Sequence, residues 1–543
     1  MVFARRSTTL LAAIIASCAM VLSLTACTSD NKTVVDGQTT VTSNSAGGVA
    51  VFTPSDGITL NQQTPLNKWA KLVPDLAKAL ADAGFKKGDI DHTTSDSLAK
   101  QSRAIQDFVV DHLSNNTTDD SGIAIAPDNM TLLVAPVVEA DASTRQYGDY
   151  ISQNLSTNDA TDGEATSDGE SSEDDSSKDD SSNTESDSTA SDEQAQAVDR
   201  LVSSLKLAKE SGMHVVLLGN SIEGYKPDAF VKFSDAQTIG KLQAEKMVSK
   251  LKLDKASKDN PKYIEVLLPY TAVDEKGNAN DSTFAQEAFR GIWQVLGSYY
   301  QKGVVESPSG TLDGKSTEND WQAVAYDAAK EGSTAKVLDK RLAKTDGQST
   351  LTRIDGIITM NDYIASEVVK ELDDLGYTGS AADINPQITI SGIVGNITGK
   401  KDLSRDAVPD PIKSPENDNA NDSSSSDDDA DEDTSASDKD RDSQWPLVTG
   451  YGAYVSNIPS IVNGKQWMTG MEDRQTIATD IAQACAKLNK DEALNSMPSI
   501  RNSEVGGVKK IPTINEPLLA VSASNLKSAL IDPGYISLAD AGL

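Results

Sequence analysis

Short apolar runs alternate with longer amphipathic stretches along most of this chain, and that alternation is its strongest constraint on folding. The run 354–360 (IDGIITM) stops at Asn361 and Asp362 and passes directly into a helical pattern over 363–375. The same rhythm gives strands at 49–52, 132–135, 214–218, 263–268, 388–390 and 447–449. Between them lie helical stretches at 66–85, 95–113, 194–211, 236–251, 282–300 and 319–330. Strands that are apolar throughout are buried on both faces, and helices between them supply the cover, so the pattern predicts an α/β protein with parallel sheets. Ligands of such sheets sit at the carboxyl ends of the strands. That rule points to Asn361 and Asp362, to Gly219 and Asn220, and to Tyr451 and Gly452.

The start of the chain reads as an export signal. Arg5 and Arg6 precede an apolar stretch over 10–24, and Leu24, Thr25, Ala26 and Cys27 follow. A basic start, a short apolar core and small residues before the cleavage point make residues 1–26 a secretory signal, too short to be a permanent span. The pattern before Cys27 is that of a bacterial lipobox, so Cys27 is expected to carry lipid, with 27–46 as a flexible tether. Cys18 leaves with the signal, so Cys485 has no internal disulfide partner and burial must stabilise the core.

Of the formal net charge of −33, the Ser/Asp/Glu tracts 158–193 and 404–443 carry −13 and −10. Segments so poor in apolar residues cannot offset their ordering entropy, and both are expected to be disordered insertions. The stretch DDDADED at 427–433 lacks the glycine and distal glutamate of a calcium loop. GNITGKK at 395–401 is one residue short of a phosphate loop and lacks its Ser/Thr. His92, His112 and His214 have no metal-ligand spacing and no nucleophile partner. No enzyme, metal or cofactor is expected, and the acidity argues against nucleic acid.

Four stretches carry a family likeness: DAFVKFSDAQTIGKLQAEKMV (228–248), DGIITMNDYIASEVVKELDDLGY (355–377), NGKQWMTGMEDRQTIATDIAQACAKL (463–488) and PLLAVSASNLKSALIDPGYISLAD (517–540). With Trp69 on the first helix, they resemble type I periplasmic solute-binding proteins of ABC sugar importers, the last stretch being similar to the xylose-binding branch. The resemblance implies two Rossmann-like lobes joined by three hinge crossings, near 234–235, 471–472 and 515–516. Lobe 1 would comprise 47–233 and 474–513; lobe 2 would comprise 236–470 and 517–543.

The resemblance also implies a site. Asn361 is the expected ligand contact and Asp362 the cap of the helix behind it. Trp69 matches an aromatic under the ligand, with core packing as its other reading. Trp321, Tyr451 and Tyr454 are further aromatic candidates. Asn220 would replace a lost clamp, and Asn280 and Asp281 occupy a ligand-reaching loop. Glu472 would be a hinge residue, a ligand contact or an exposed charge. The chain departs from the family at three points: Gly219 and Asn220 replace Asp-Arg, Gly452 replaces Asp, and Ala135 replaces Asn. Fewer hydroxyl clamps suit an oligosaccharide or glycoside better than a free pentose.

The expected function is an extracytoplasmic substrate-binding lipoprotein that delivers a carbohydrate-like molecule to an ABC permease, on the outer face of the cell membrane. The alternative is a surface sensor or scaffold with a degenerate sugar cleft.

Overall fold

The computed structural model describes residues 33–35, 38–40, 46–55, 65–115, 125–138, 145–157, 184–273, 280–328, 330–343, 350–382 and 444–543. The expected signal, the Cys27 expected to carry lipid, the tether apart from 33–35, 38–40 and 46, residues 158–183 of the first acidic tract, the tract 404–443 and the strand 388–390 lie outside them. The chain divides into two compact units, Met1–Asn44 and Ser45–Leu543. Within the first, Thr33–Val35 pairs antiparallel with Gln38–Thr40.

The second unit is a mixed α/β structure built on two main sheets. The larger has seven strands in the order Ile500–Val505, Val508–Asn515, Ala229–Lys232, His214–Leu218, Met130–Val134, Gly48–Pro54, Ile90–Ser95. Every neighbouring pair is parallel except the terminal hairpin of Ile500–Val505 with Val508–Asn515. Its central strands are apolar on both faces because both are covered. Val49, Val51, Leu133, Val216 and Leu218 pack toward the helices Trp69–Asp82 and Arg474–Leu488. The alternating residues Ala50, Phe52, Leu132, Val134, Val215 and Leu217 pack toward Leu98–Asn115 and Thr184–Glu210.

The smaller sheet is entirely parallel, in the order Val305–Glu306, Lys262–Val266, Gly356–Ile358, Leu447–Thr449. Helices Ala236–Leu251, Thr283–Gln301, Ser333–Arg341 and Asp362–Leu375 wrap it in a separate apolar core. In both sheets the second strand in the chain lies outside the first, and the third lies on the first strand's other side. That reversal creates the crevice where doubly wound sheets bind ligands. The chain goes from the larger to the smaller sheet after Ala229–Lys232. It returns through Met468–Met471 into Arg474–Leu488, and leaves again from Val508–Asn515 to Leu519–Ser522, which pairs antiparallel with Met468–Met471.

Two expected elements differ. The helix read over 319–330 is a single turn, Trp321–Val324, followed by a strand, Ala325–Tyr326, paired with Leu268–Pro269. Tertiary partners override the local pattern there. Arg341 donates to the carbonyls of Val266 at 2.5 Å and Val324 at 2.9 Å, fixing the chain just before each of these short strands. The second difference lies in the first acidic tract, expected to be disordered to residue 193. A helix begins at Thr184, within the tract.

Candidate functional site

The strand Gly356–Ile358 ends in a sharp turn, with Met360 at φ 67°. Asn361 follows in extended conformation (φ −142°, ψ 165°), and its side-chain oxygen accepts from the Ile364 amide at 2.9 Å. Asn361 is therefore the helix cap, and the role expected of Asp362 falls one residue earlier. The reason is geometric: a cap must lie outside helical backbone space, whereas Asp362 is the first residue within the helix.

Asp362 is fully buried and holds together the segments behind the strand ends. Its carboxylate accepts from the Tyr454 amide at 2.9 Å, from Thr469 Oγ1 at 2.9 Å and from Gln466 Nε2 at 2.7 Å. Burial outweighs these donors and pushes its pKa up to about 6.

Asn361 meets protein where a ligand contact was expected. Its Nδ2 donates to Oε1 of Gln146 at 3.0 Å, and the Tyr454 hydroxyl donates to the Gln146 carbonyl at 2.6 Å. Gln146 belongs to a strap, residues 145–155, laid along the seam between the two sheets. Tyr147 is buried against the rings of Phe284, at 4.7 Å, and Tyr451, at 6.3 Å. Tyr150 stacks on Phe233 at 4.8 Å and meets Trp69 edge-on at 5.1 Å. Trp69, expected beneath a ligand, is thus a buried member of an aromatic cluster with Tyr150 and Phe233.

The strap is anchored on the larger-sheet side. Asp149 pairs with Lys68 Nζ at 2.8 Å and accepts from the Trp69 amide at 3.1 Å; the Asp149 amide donates to the Asn67 carbonyl at 2.8 Å. Gly148 permits this approach, since its φ is +96° and a Cβ there would lie 2.6 Å from the Asn67 carbonyl oxygen. Gly148→Ala is expected to cost on the order of 1–2 kcal/mol in urea denaturation, through backbone strain and overpacking. Asn220 is a strap anchor too: Oδ1 accepts from the Gln153 amide at 2.9 Å, and Nδ2 donates to the Pro136 carbonyl at 2.9 Å.

Tyr451 and Glu472 lie below the strap in a buried network at the chain crossings. The Tyr451 hydroxyl accepts from Asn67 Nδ2 at 3.0 Å and forms a short hydrogen bond with Ser234 Oγ. Glu472 accepts from the Ser234 amide at 2.6 Å. It is not an exposed charge, being 1 % accessible, and burial pushes its pKa up to about 7. Its place on the path between the sheets explains this: its neighbours belong to both.

The other candidates, Asn280, Asp281 and Trp321, make none of these bonds. Asn280 donates to the Thr271 carbonyl at 2.8 Å, and its own carbonyl accepts from Tyr270. Asp281 accepts from the Thr283 amide at 2.9 Å and hydroxyl at 2.7 Å, which holds its carboxyl below the usual range. It also lines a cavity of about 500 Å³ with Asn154, Asp235, Phe284 and Glu287. Trp321 meets Tyr270 edge-on at 5.1 Å in a separate cavity of about 280 Å³.

Two of the departures from the family pattern have local causes. At Ala135 the strand end is held by Gln101, which donates to the Ala135 carbonyl at 2.8 Å and accepts from the Val137 amide at 2.9 Å. Gly452 has φ +112°, and its carbonyl accepts from the Leu66 amide at 2.9 Å; a Cβ would press on Tyr454 at 3.0 Å. The strap itself went unread in the sequence. Its signal was there: RQYGDYI at 145–151 is an aromatic island just before the acidic tract.

No family model and no curated protein matches the sequence. Among solved structures, the chain is similar to an ABC-transporter solute-binding protein from Clostridium phytofermentans with bound β-D-glucose, at 17% identity and TM-score 0.44, covering 91% of this chain and 99% of that one. It is also similar to a carbohydrate-transporter solute-binding protein from Chloroflexus aurantiacus in complex with D-glucose, at 18% identity and TM-score 0.42, covering 92% and 98%. An arabinose-binding protein from Geobacillus stearothermophilus is similar at 9% identity and TM-score 0.41, covering 89% and 99%. At these levels the architecture rests on the chain's own sheet order.

Proposed function

We propose that this chain is the extracytoplasmic substrate-binding protein of an ABC transporter, holding a carbohydrate-like molecule between two lobes that close about hinges. Lobe 1 is 47–233 with 474–513, and lobe 2 is 236–470 with 517–543. Cys27 carries the lipid anchor, and a membrane permease receives the guest. The chain acts by binding and release, not by catalysis.

One observation carries this reading. The strand ends of both sheets converge on one seam, where Asn361 and Tyr454 from one side face Trp69 and Asn220 from the other across a single intervening segment. Ligand-driven closure needs such an arrangement, with groups of both lobes reaching one guest. The sequence likeness to the sugar-importer family, with its tail closest to the xylose-binding branch, supports a saccharide. The replacements at Ala135, Gly219 and Gly452 favour a glycoside or oligosaccharide over free xylose.

The filled seam favours a second reading, a sensor or scaffold whose cleft no longer admits sugar. Tryptophan fluorescence titrated against a panel of saccharides and glycosides separates the two. Transport binding predicts a saturable change that weakens about tenfold in Asn361→Ser, since serine keeps the cap while removing the amide donor. A flat response to every compound in the wild type would sustain the second reading and defeat the first.

A further inference from the structure

We infer that the strap tip, Gln146 and Tyr147, is a tethered stand-in for the guest: it occupies the guest's place, holds the two halves together and must be displaced before a ligand binds. The inference rests on the two-lobed reading above and adds its regulation and the shape of the guest.

The strap turns to different partners along its path. From Asp149 to Leu155 its hydrogen-bond and ion-pair partners lie on the larger-sheet side or at the crossing, Lys68, Asn67, Asn220, Ser234 and Glu223, while Ile151 packs into the smaller sheet's core. The tip reaches the other way. Gln146 receives Asn361 Nδ2 on its side-chain oxygen and the Tyr454 hydroxyl on its main-chain oxygen, while Tyr147 lies between Phe284 and Tyr451. The tip thus supplies what a bridging ligand supplies: two oxygen acceptors for donors of the smaller-sheet side, and a flat ring seated among aromatic side chains.

The groups left behind by its withdrawal specify a replacement. Asn361 Nδ2 and the Tyr454 hydroxyl are donors, so the guest presents neutral oxygen acceptors to them. Phe284 and Tyr451 are apolar ring surfaces, so the guest presents a flat apolar moiety next to those oxygens. An aryl glycoside has both features, whereas a free monosaccharide lacks the second. A built-in occupant lowers apparent affinity by the fraction of molecules in which the site is vacant, so removing it tightens binding without adding any contact.

The test compares the full mature chain with the double variant Gln146→Ala/Tyr147→Ala. Small-angle scattering is recorded without ligand, and calorimetric titration is run with phenyl β-D-glucopyranoside and with D-glucose. The inference predicts a larger radius of gyration in the variant, and phenyl glucoside binding tightened by about tenfold or more. The single variant Gln146→Ala removes only the side-chain acceptor from the bridge, leaves every proposed guest contact in place and should shift both readouts in the same direction, which covers the case in which the double variant fails to fold. If the variants open but neither they nor the wild type bind any glycoside, the clamp stands and the transport reading fails. Unchanged scattering in both variants overturns the inference. So does a phenyl glucoside affinity equal in wild type and variants, an outcome that leaves sugar binding itself intact.

Discussion

Asp362→Ala is expected to destabilise the chain by about 3–5 kcal/mol, because three donors lose their acceptor in a site without water access. The Tyr454 amide, Thr469 Oγ1 and Gln466 Nε2 all converge on this carboxylate. Its Oδ1 also fills the space beside Gly450, where a Cβ would lie 2.2 Å away, so truncation leaves a cavity as well as orphaned donors. Asn361→Ala removes a cap and should cost only about 1 kcal/mol. Urea denaturation of the two variants at one pH gives the ranking. A larger loss at position 361 than at 362 would mean that the Asp362 carboxylate does not hold these segments together.

The second large effect is a pH dependence centred on Glu472. Burial raises its pKa from 4.5 to about 7, so the folded chain binds this proton more tightly than the unfolded chain does. Stability from this group is whole below about pH 4.5 and is lost as the pH rises through 7. Asp362, raised from 3.8 to about 6, adds a loss of the same sign at lower pH. Glu472→Gln keeps an oxygen for the Ser234 amide but has no charge to bury. It should match the wild type at pH 4.5 and exceed it at pH 8 by on the order of 2–3 kcal/mol. Urea midpoints for both proteins at pH 4.5, 6 and 8 measure the divergence. Parallel curves would show that Glu472 does not bear the titration.

These two residues mark the reach of the sequence. The strands at 130–134, 214–218, 356–358 and 447–449 were legible because burial on both faces leaves an unbroken apolar run. The strand Ile90–Ser95 was not, since it closes an edge of the larger sheet and most of its side chains are exposed. The hairpin at the opposite edge, with exposed Arg501, Lys509 and Lys510, escaped for the same reason. Short edge strands carry little hydrophobic signal, and only their neighbours define them.

Within the candidate site, the sequence placed Asn361, Tyr451 and Tyr454 at the ends of the smaller sheet's strands, and they lie there. It could not supply what each side chain meets. Capping depends on a one-residue difference in backbone conformation, which the adjacent polar pair Asn361 and Asp362 leaves ambiguous. The charge state of Glu472 depends on partners hundreds of positions away, such as Ser234. The strap is a long-range effect of the same kind: nothing local in RQYGDYI says that it will lie against Asn361, more than two hundred residues further along the chain.

The central claim is that the seam holds a guest and that Gln146 stands in its place. A crystal structure of Gln146→Ala/Tyr147→Ala grown with phenyl β-D-glucopyranoside tests it most directly. The account predicts the glucoside in the seam, its oxygens within hydrogen-bonding distance of Asn361 Nδ2 and the Tyr454 hydroxyl, and its ring beside Phe284. A seam closed on itself by other side chains, with the glucoside bound elsewhere or not at all, would contradict it.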